Sequence, residues 1–120
     1  MDVEESSPPK LEWVKEVLRD KIHLLHGAAK SDFKDHLKEG GVIDKMVVVK
    51  ESGKIVGWAA TVLYGVGTRP RWGVQAFVLP AYRRQGIGKA CVEKVIEDLQ
   101  KSKLDYDAGS SREFWVKVMS

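Results

Sequence analysis

The sequence predicts one α+β domain whose elements run α-α-β-β-β-α-(β)-α. Three observations lead there. Apolar residues recur every three to four positions in two separate stretches, Leu11 to Leu25 and Ile87 to Leu99, as on one face of a helix. Between them lie β-branched and apolar runs bounded by glycine, proline and polar turn residues, which mark strands. The chain has 120 residues, 43% of them hydrophobic, so it is one domain long with enough apolar surface to offset the backbone entropy lost on folding.

Residues 1–10 are acidic, carry Pro8-Pro9 and are expected to be a flexible segment ahead of a single domain at 11–120. Leu11, Val14, Leu18, Ile22 and Leu25 then give an amphipathic helix. A second helix is expected from Ser31, a natural N-cap, through Lys38, stopping at Gly40-Gly41, where left-handed backbone angles carry little penalty. Met46-Val47-Val48-Val49, the turn residues Glu51-Ser52-Gly53-Lys54 and the apolar run Ile55 to Tyr64 read as a hairpin. A third strand runs from about Trp72 to Leu79 and stops at Pro80; its mostly apolar sequence predicts burial on both faces. Ile87, Cys91, Val92, Val95, Ile96 and Leu99 define a helix between Ile87 and Lys101. Beyond it, Leu104-Asp105-Tyr106 is expected as a short strand and Ser111 to Met119 as a helix, with a strand from Phe114 to Met119 as the alternative.

The charge balance, 20 basic against 17 acidic residues, demands neither a nucleic acid nor a membrane surface as partner. No 18-residue apolar run and no signal-peptide core are present, so a cytoplasmic location without membrane contact is expected. The single cysteine, Cys91, excludes an internal disulfide, and its phase on the third helix makes it a packing residue. No Cys/His spacing specifies a metal site, and His23, His26 and His36 are read as surface or packing residues. Positive charge gathers instead at Arg69, Arg71, Arg83, Arg84 and Lys89, which favours an anionic ligand.

The passage from strand to helix at Val78 to Lys89 places two glycines and three cations at a helix N-terminus, where backbone N–H groups have no helical partner. Glycine lets a ligand approach the backbone, the helix dipole favours negative charge, and Arg83, Arg84 and Lys89 add charge-assisted contacts. A pyrophosphate meets those requirements. A P-loop is excluded because Arg83 stands where its first glycine belongs and Ala90 where Ser or Thr belongs. A dinucleotide fingerprint fails at Cys91 and lacks the preceding strand–helix–strand unit.

Arg83, Gly86 and Gly88 resemble the acetyl-CoA signature Arg/Gln-x-x-Gly-x-Gly/Ala of the GNAT superfamily of N-acetyltransferases. Phe77-Val78-Leu79-Pro80-Ala81-Tyr82-Arg83 resembles that family's strand and its exit, and Gly53-Lys54-Ile55-Val56-Gly57-Trp58-Ala59 its preceding hairpin, so the likeness spans roughly residues 45 to 101. It implies a mixed, mostly antiparallel sheet flanked by helices, acetyl-CoA as cosubstrate without a metal, and a small-molecule or peptide amine as acceptor. It also implies a bulge in the third strand beside a cleft where the backbone of Phe77, Val78 and Leu79 pairs with pantetheine. The pyrophosphate would rest on backbone N–H groups of Arg84, Gln85, Gly86, Ile87, Gly88 and Lys89, with the Arg83 and Arg84 side chains at the 3′-phosphate or the cleft entrance.

The implied reaction, acetyl transfer to an amine, needs a stabilised oxyanion, a base for the amine and an acid for the thiolate. The resemblance assigns the oxyanion to the Val78 N–H. It puts Trp115 where the family's tyrosine acid often stands, and an indole cannot donate that proton. Tyr106 is therefore named as catalytic acid by residue type, with Tyr64 as substitute and Asp105, Asp107 or Glu113 as bases through water. Typical members open with a strand not evident here and continue past the last helix into a hairpin; the acceptor wall is then expected from the two N-terminal helices or from a homodimer partner. The competing reading is a truncated, catalytically inactive domain that binds CoA or a protein.

Overall fold

The computed structural model describes residues 1–25, 27–64, 71–99, 104–105 and 114–115. Its centre is the predicted hairpin. Ser52 (φ 52°) and Gly53 (φ 78°) both take left-handed angles, the pattern of a two-residue type I′ turn, and join β2 (Ile43–Glu51) to β3 (Lys54–Tyr64). The third strand, β4 (Arg71–Val78), pairs antiparallel with β3.

The expected bulge lies one strand earlier than the resemblance implied. Val49 faces Gly57 while Lys50 faces Ile55, so β3 carries the extra residue Val56; β4 keeps an unbroken register from Gly57↔Val78 to Tyr64↔Arg71. The insertion reverses which side chains face which helices. Ile55, Trp58, Ala60 and Val62 join the core with Trp13, Val14, Val17 and Phe33, whereas Val56 and Ala59 join Ile87, Cys91, Val92 and Val95. Apolar runs are needed because helices cover both faces of this part of the sheet.

Residues 2–6, expected within a flexible lead-in, form strand β1 (Asp2–Ser6), antiparallel to β2 from Asp2↔Lys50 to Ser6↔Met46. This is also the opening strand that the sequence did not show. As an edge strand it needs few apolar residues, and its acids match cations nearby: Glu4 lies 3.2 Å from Lys50 and 3.6 Å from Lys10, and Glu5 lies 3.5 Å from Lys45. The order β1-β2-β3-β4-β5 is completed by β5 (Leu104–Asp105), parallel to β4 at Trp72 and Gly73.

The first helix begins as expected in α1 (Leu11–Glu16) but widens into a π turn at Val17–Lys21 and tightens into a 3₁₀ turn at Ile22–Leu24. The wide turn brings Lys21 back over Glu16, whose Oε2 accepts from Lys21 Nζ at 2.9 Å and from the Ile55 N–H at 2.8 Å. Helix α2 (Ala28–Glu39) starts three residues before the predicted cap Ser31, with Gly27 (φ 59°) at its N-cap; Ala28, Ala29 and Lys30 are good helix formers and need no side-chain cap. It ends at Gly40 (φ 74°), as expected. Helix α3 (Ile87–Val95) is shorter than the Lys101 limit expected, because Ile96 leaves helical angles (φ −104°, ψ 5°). Phe114 and Trp115 are helical, in keeping with the helix rather than the strand alternative at those two positions.

Candidate functional site

The cleft is set by hydrogen-bond phase along β4. Leu79 donates its N–H to Val56 O at 2.9 Å, so Leu79 and Phe77 face their β3 partners and Val78 and Ala76 turn their backbone groups away from β3. On that far side β5 meets only Trp72 and Gly73. Among the described residues, the edge from Val74 to Val78 therefore has no strand partner. Arg83 marks the outward direction: its Nε donates to Val78 O at 2.9 Å, and its guanidinium lies 5.5 Å from the Phe77 ring centroid.

Of the three backbone positions the resemblance named, only Val78 opens onto the cleft. The Leu79 N–H is engaged with Val56, and its carbonyl accepts the Tyr82 N–H at 2.8 Å; Phe77 is directed at Trp58. Ala76 was not singled out by sequence, although the two-residue alternation counted from Val78 points to it.

Beyond Leu79 a 3₁₀ turn (Pro80–Tyr82) leads to Arg84 (φ 64°), Gly86 (φ 78°) and the start of α3 at Ile87. The first helical bond runs from Ala90 N–H to Gly86 O at 3.0 Å, which leaves the N–H groups of Ile87, Gly88 and Lys89 without intrahelical acceptors. Arg83, Arg84, Gln85, Gly86 and Lys89 are exposed around them, with Lys89 Nζ 3.8 Å from Glu93. The arrangement suits a polyanion.

The two glycines of the signature act differently. A Cβ on Gly86 would meet nothing within 4 Å, and its positive φ is what the turn requires. A Cβ on Gly88 would lie 3.3 Å from the Phe114 ring and from Val78 Cγ2, so Gly88 lets α3 press onto β4. Gly57, whose role the sequence did not reveal, is tighter still: its Cβ would stand 2.8 Å from Ile87 Cγ2. Three close approaches thus fix the first turn of α3 against the end of β4.

Other candidates fall outside this cradle. Cys91 is 1% exposed, and burial pushes its thiol up to about 11, as an inert packing residue requires. Trp115 is 4% exposed within the α3-side core. His36 Nδ1 accepts the Ile43 N–H at 3.0 Å, and burial lowers its pKa; His23 is exposed. Tyr106, His26, Arg69, Asp107 and Glu113 lie outside the described residues, as do the side chains of Tyr64, Arg71 and Asp105. Among the described residues no group of three or more His, Cys, Asp or Glu could hold a metal ion, and no helix is long and apolar enough to cross a membrane. A cavity of about 460 Å³ beside Asp44, Thr61 and Asp98 lies at the opposite, C-terminal end of α3.

One polar pair was missed. Gln75, the only polar residue between Trp72 and Val78, donates from Nε2 to Asp32 Oδ2 of α2 at 3.1 Å, and Asp32 is 7% exposed. Nothing in the spacing connects positions so far apart, and Asp32 sits in a helix that reads as an ordinary solvated face.

Similarity to known proteins follows the same lines. The family model described as acetyltransferase (GNAT) family matches residues 11–112. Among curated proteins, no sequence matches. A GNAT-family acetyltransferase from Desulfovibrio desulfuricans superposes with a TM-score of 0.68 at 17% identity, over 98% of this chain and 84% of that one. A Trypanosoma brucei acetyltransferase gives 0.63 at 24% identity, over 98% and 91%. AAC(6′)-Iy in complex with the bisubstrate analogue CoA-S-monomethyl-acetylneamine gives 0.64 at 16% identity, over 98% and 90%. These likenesses show the fold, and the family match covers most of the chain. It belongs to the GNAT acetyltransferase family and is an acyltransferase.

Proposed function

We propose that the protein transfers an acetyl group from acetyl-CoA to a primary amine of a small molecule or peptide, by direct attack of the amine on the thioester. The observation that carries this reading is the open edge of β4 leading into the N-terminus of α3. An extended pantetheine arm with two amides pairs with such an edge as an added strand would, at Val78 and onward to Ala76. Its pyrophosphate then reaches the N–H groups from Gln85 to Lys89, in the favourable field of the helix. A CoA-based bisubstrate analogue bound to a protein of the same fold supports that ligand.

With Val78 engaged by pantetheine, the thioester lies one outward pair deeper, and the Ala76 N–H becomes the oxyanion donor in place of Val78. Arg83 spans the phosphate end of the cleft and can share the Val78 carbonyl, which has two lone pairs. Tyr106 stays the proposed proton donor to the departing thiolate, by residue type alone.

The test is a melting curve with and without acetyl-CoA. Saturation at about 100 times Kd stabilises by about 2.7 kcal/mol, which raises the Tm of a domain this size by several degrees. Gly86→Trp puts an indole at the mouth of the cradle, in space that is empty around Gly86, and should abolish the rise measured from its own baseline. Absence of any rise in the wild type at millimolar acetyl-CoA overturns the proposal; a rise without thiol release on any amine would favour the inactive, CoA-binding alternative.

A further inference from the structure

The Asp32–Gln75 pair has a position that packing alone does not require. Gln75 lies between Val74 and Ala76 on the stretch of β4 that β5 leaves uncovered, and it pairs with Ala60 on β3. Its side chain therefore stands about one residue step, roughly 3.3 Å along the strand, from the outward N–H of Ala76. It leaves the sheet on the face opposite α3, the face that also carries Phe77 and is covered by α1 and α2. A cofactor held on the edge of β4 and on α3 thus has this pair beside its reactive end, on the other face of the sheet from α3.

We infer that Asp32 is the residue that receives the acceptor's ammonium group and takes its first proton, with Gln75 as the positioning residue that holds the carboxylate. The inference rests on the acetyl-transfer reading above and adds the acceptor's chemical class, a protonated primary amine. Three properties of the pair suit that role. A carboxylate accepts up to about four hydrogen bonds, so the bond from Gln75 Nε2 restrains Asp32 while leaving it able to hold further donors. At 7% exposure, its attraction for a cation is less screened than at the surface. Gln75 is anchored in a paired strand and Asp32 in the middle of a helix, so neither depends on a loop for its position.

In the transfer step the ammonium gives one proton to Asp32, and the nitrogen lone pair forms a bond to the thioester carbonyl carbon. The oxyanion, held at the Ala76 N–H, collapses as the carbon–sulfur bond breaks. The electron pair leaves with sulfur, and a second proton from nitrogen ends on the thiolate to give the amide and CoA thiol.

The experiment measures free-thiol release at saturating acetyl-CoA with spermidine, neamine and lysine methyl ester as probes, each beside its fully N-acetylated counterpart. The expected result is turnover of at least one amine and none of its neutral counterpart. Asp32→Asn should then raise the amine KM or lower kcat/KM by about 10–100-fold, the worth of a charged hydrogen bond. Asp32→Glu should restore part of it, and Gln75→Leu should give a smaller loss, all with the acetyl-CoA KM and thermal shift of the wild type. If Asp32→Asn loses the acetyl-CoA shift through misfolding, Gln75→Leu becomes the deciding variant. The inference is overturned if an accepted amine shows the same kinetics in the wild type and in the folded variants, or if no ammonium probe reacts with a protein that still binds acetyl-CoA. Absence of acetyl-CoA binding in the wild type would instead sink the underlying function.

Discussion

Replacing Gly57 with alanine tests how the cradle is built. Its added Cβ would lie 2.8 Å from Ile87 Cγ2, 3.4 Å from Val78 Cγ2 and 3.5 Å from Phe77 O. Carbon atoms pack at about 3.5–4.0 Å, so the first contact is short by roughly 0.7–1.2 Å and the start of α3 must move by about that much. Overpacking of this kind costs about 1–3 kcal/mol, and the lower chain entropy of alanine returns about 0.5–1, so a net loss of about 0.5–2 kcal/mol is expected in urea unfolding. The functional effect should be larger, because Ile87 carries one of the N–H groups aimed at the phosphates. A displacement near 1 Å at a binding constellation costs orders of magnitude where geometry is demanding, and acetyl-CoA affinity is predicted to fall at least tenfold by titration calorimetry. Gly86→Ala is the control: it meets nothing within 4 Å and should show only backbone strain of about 1–2 kcal/mol at φ 78°. Wild-type stability together with wild-type affinity in Gly57→Ala would refute the view that this contact positions the cradle.

Three further outcomes follow from single contacts. Arg84→Gly removes a left-handed non-glycine residue (φ 64°), and should raise stability by about 1 kcal/mol in chemical denaturation while weakening CoA binding more at low salt than at high. Glu16→Ala leaves the Lys21 ammonium, 6% exposed, and the Ile55 N–H without their shared acceptor, and should cost about 3 kcal/mol in the same assay. His36 has its pKa lowered by burial from 6.5, so the unfolded chain binds a proton more readily. Its contribution is complete above about pH 6.5 and lost as pH falls through the lower folded value; His36→Gln should flatten stability against pH over that interval.

Legibility in the sequence followed the strength of local physics. The hairpin was readable because Ser52-Gly53 meets a specific turn requirement and the strands on either side are apolar for reasons of burial on two faces. The start of α3 was readable because Gly86 satisfies a backbone angle that few residues tolerate. β1 was hidden, since an edge strand rich in acids looks like a solvated tail until Lys45 and Lys50 are placed opposite it. The π turn at Val17–Lys21 was hidden because apolar spacing of three to four is nearly the same for either helix. The role of Gly57 and the pairing of Asp32 with Gln75 depend on which residues meet across the sheet, and the one-residue insertion at Val56 changes that register in a way no local pattern announces.

An amide ¹H–¹⁵N titration with acetyl-CoA reads the open edge of β4 and the start of α3 residue by residue. Large shifts are expected at Ala76, Val78 and Gln85 to Lys89, and smaller ones at Phe77 and Leu79, whose N–H groups face β3. Shifts confined to other parts of the sheet, or none at saturating ligand, would contradict acetyl-CoA binding at this edge.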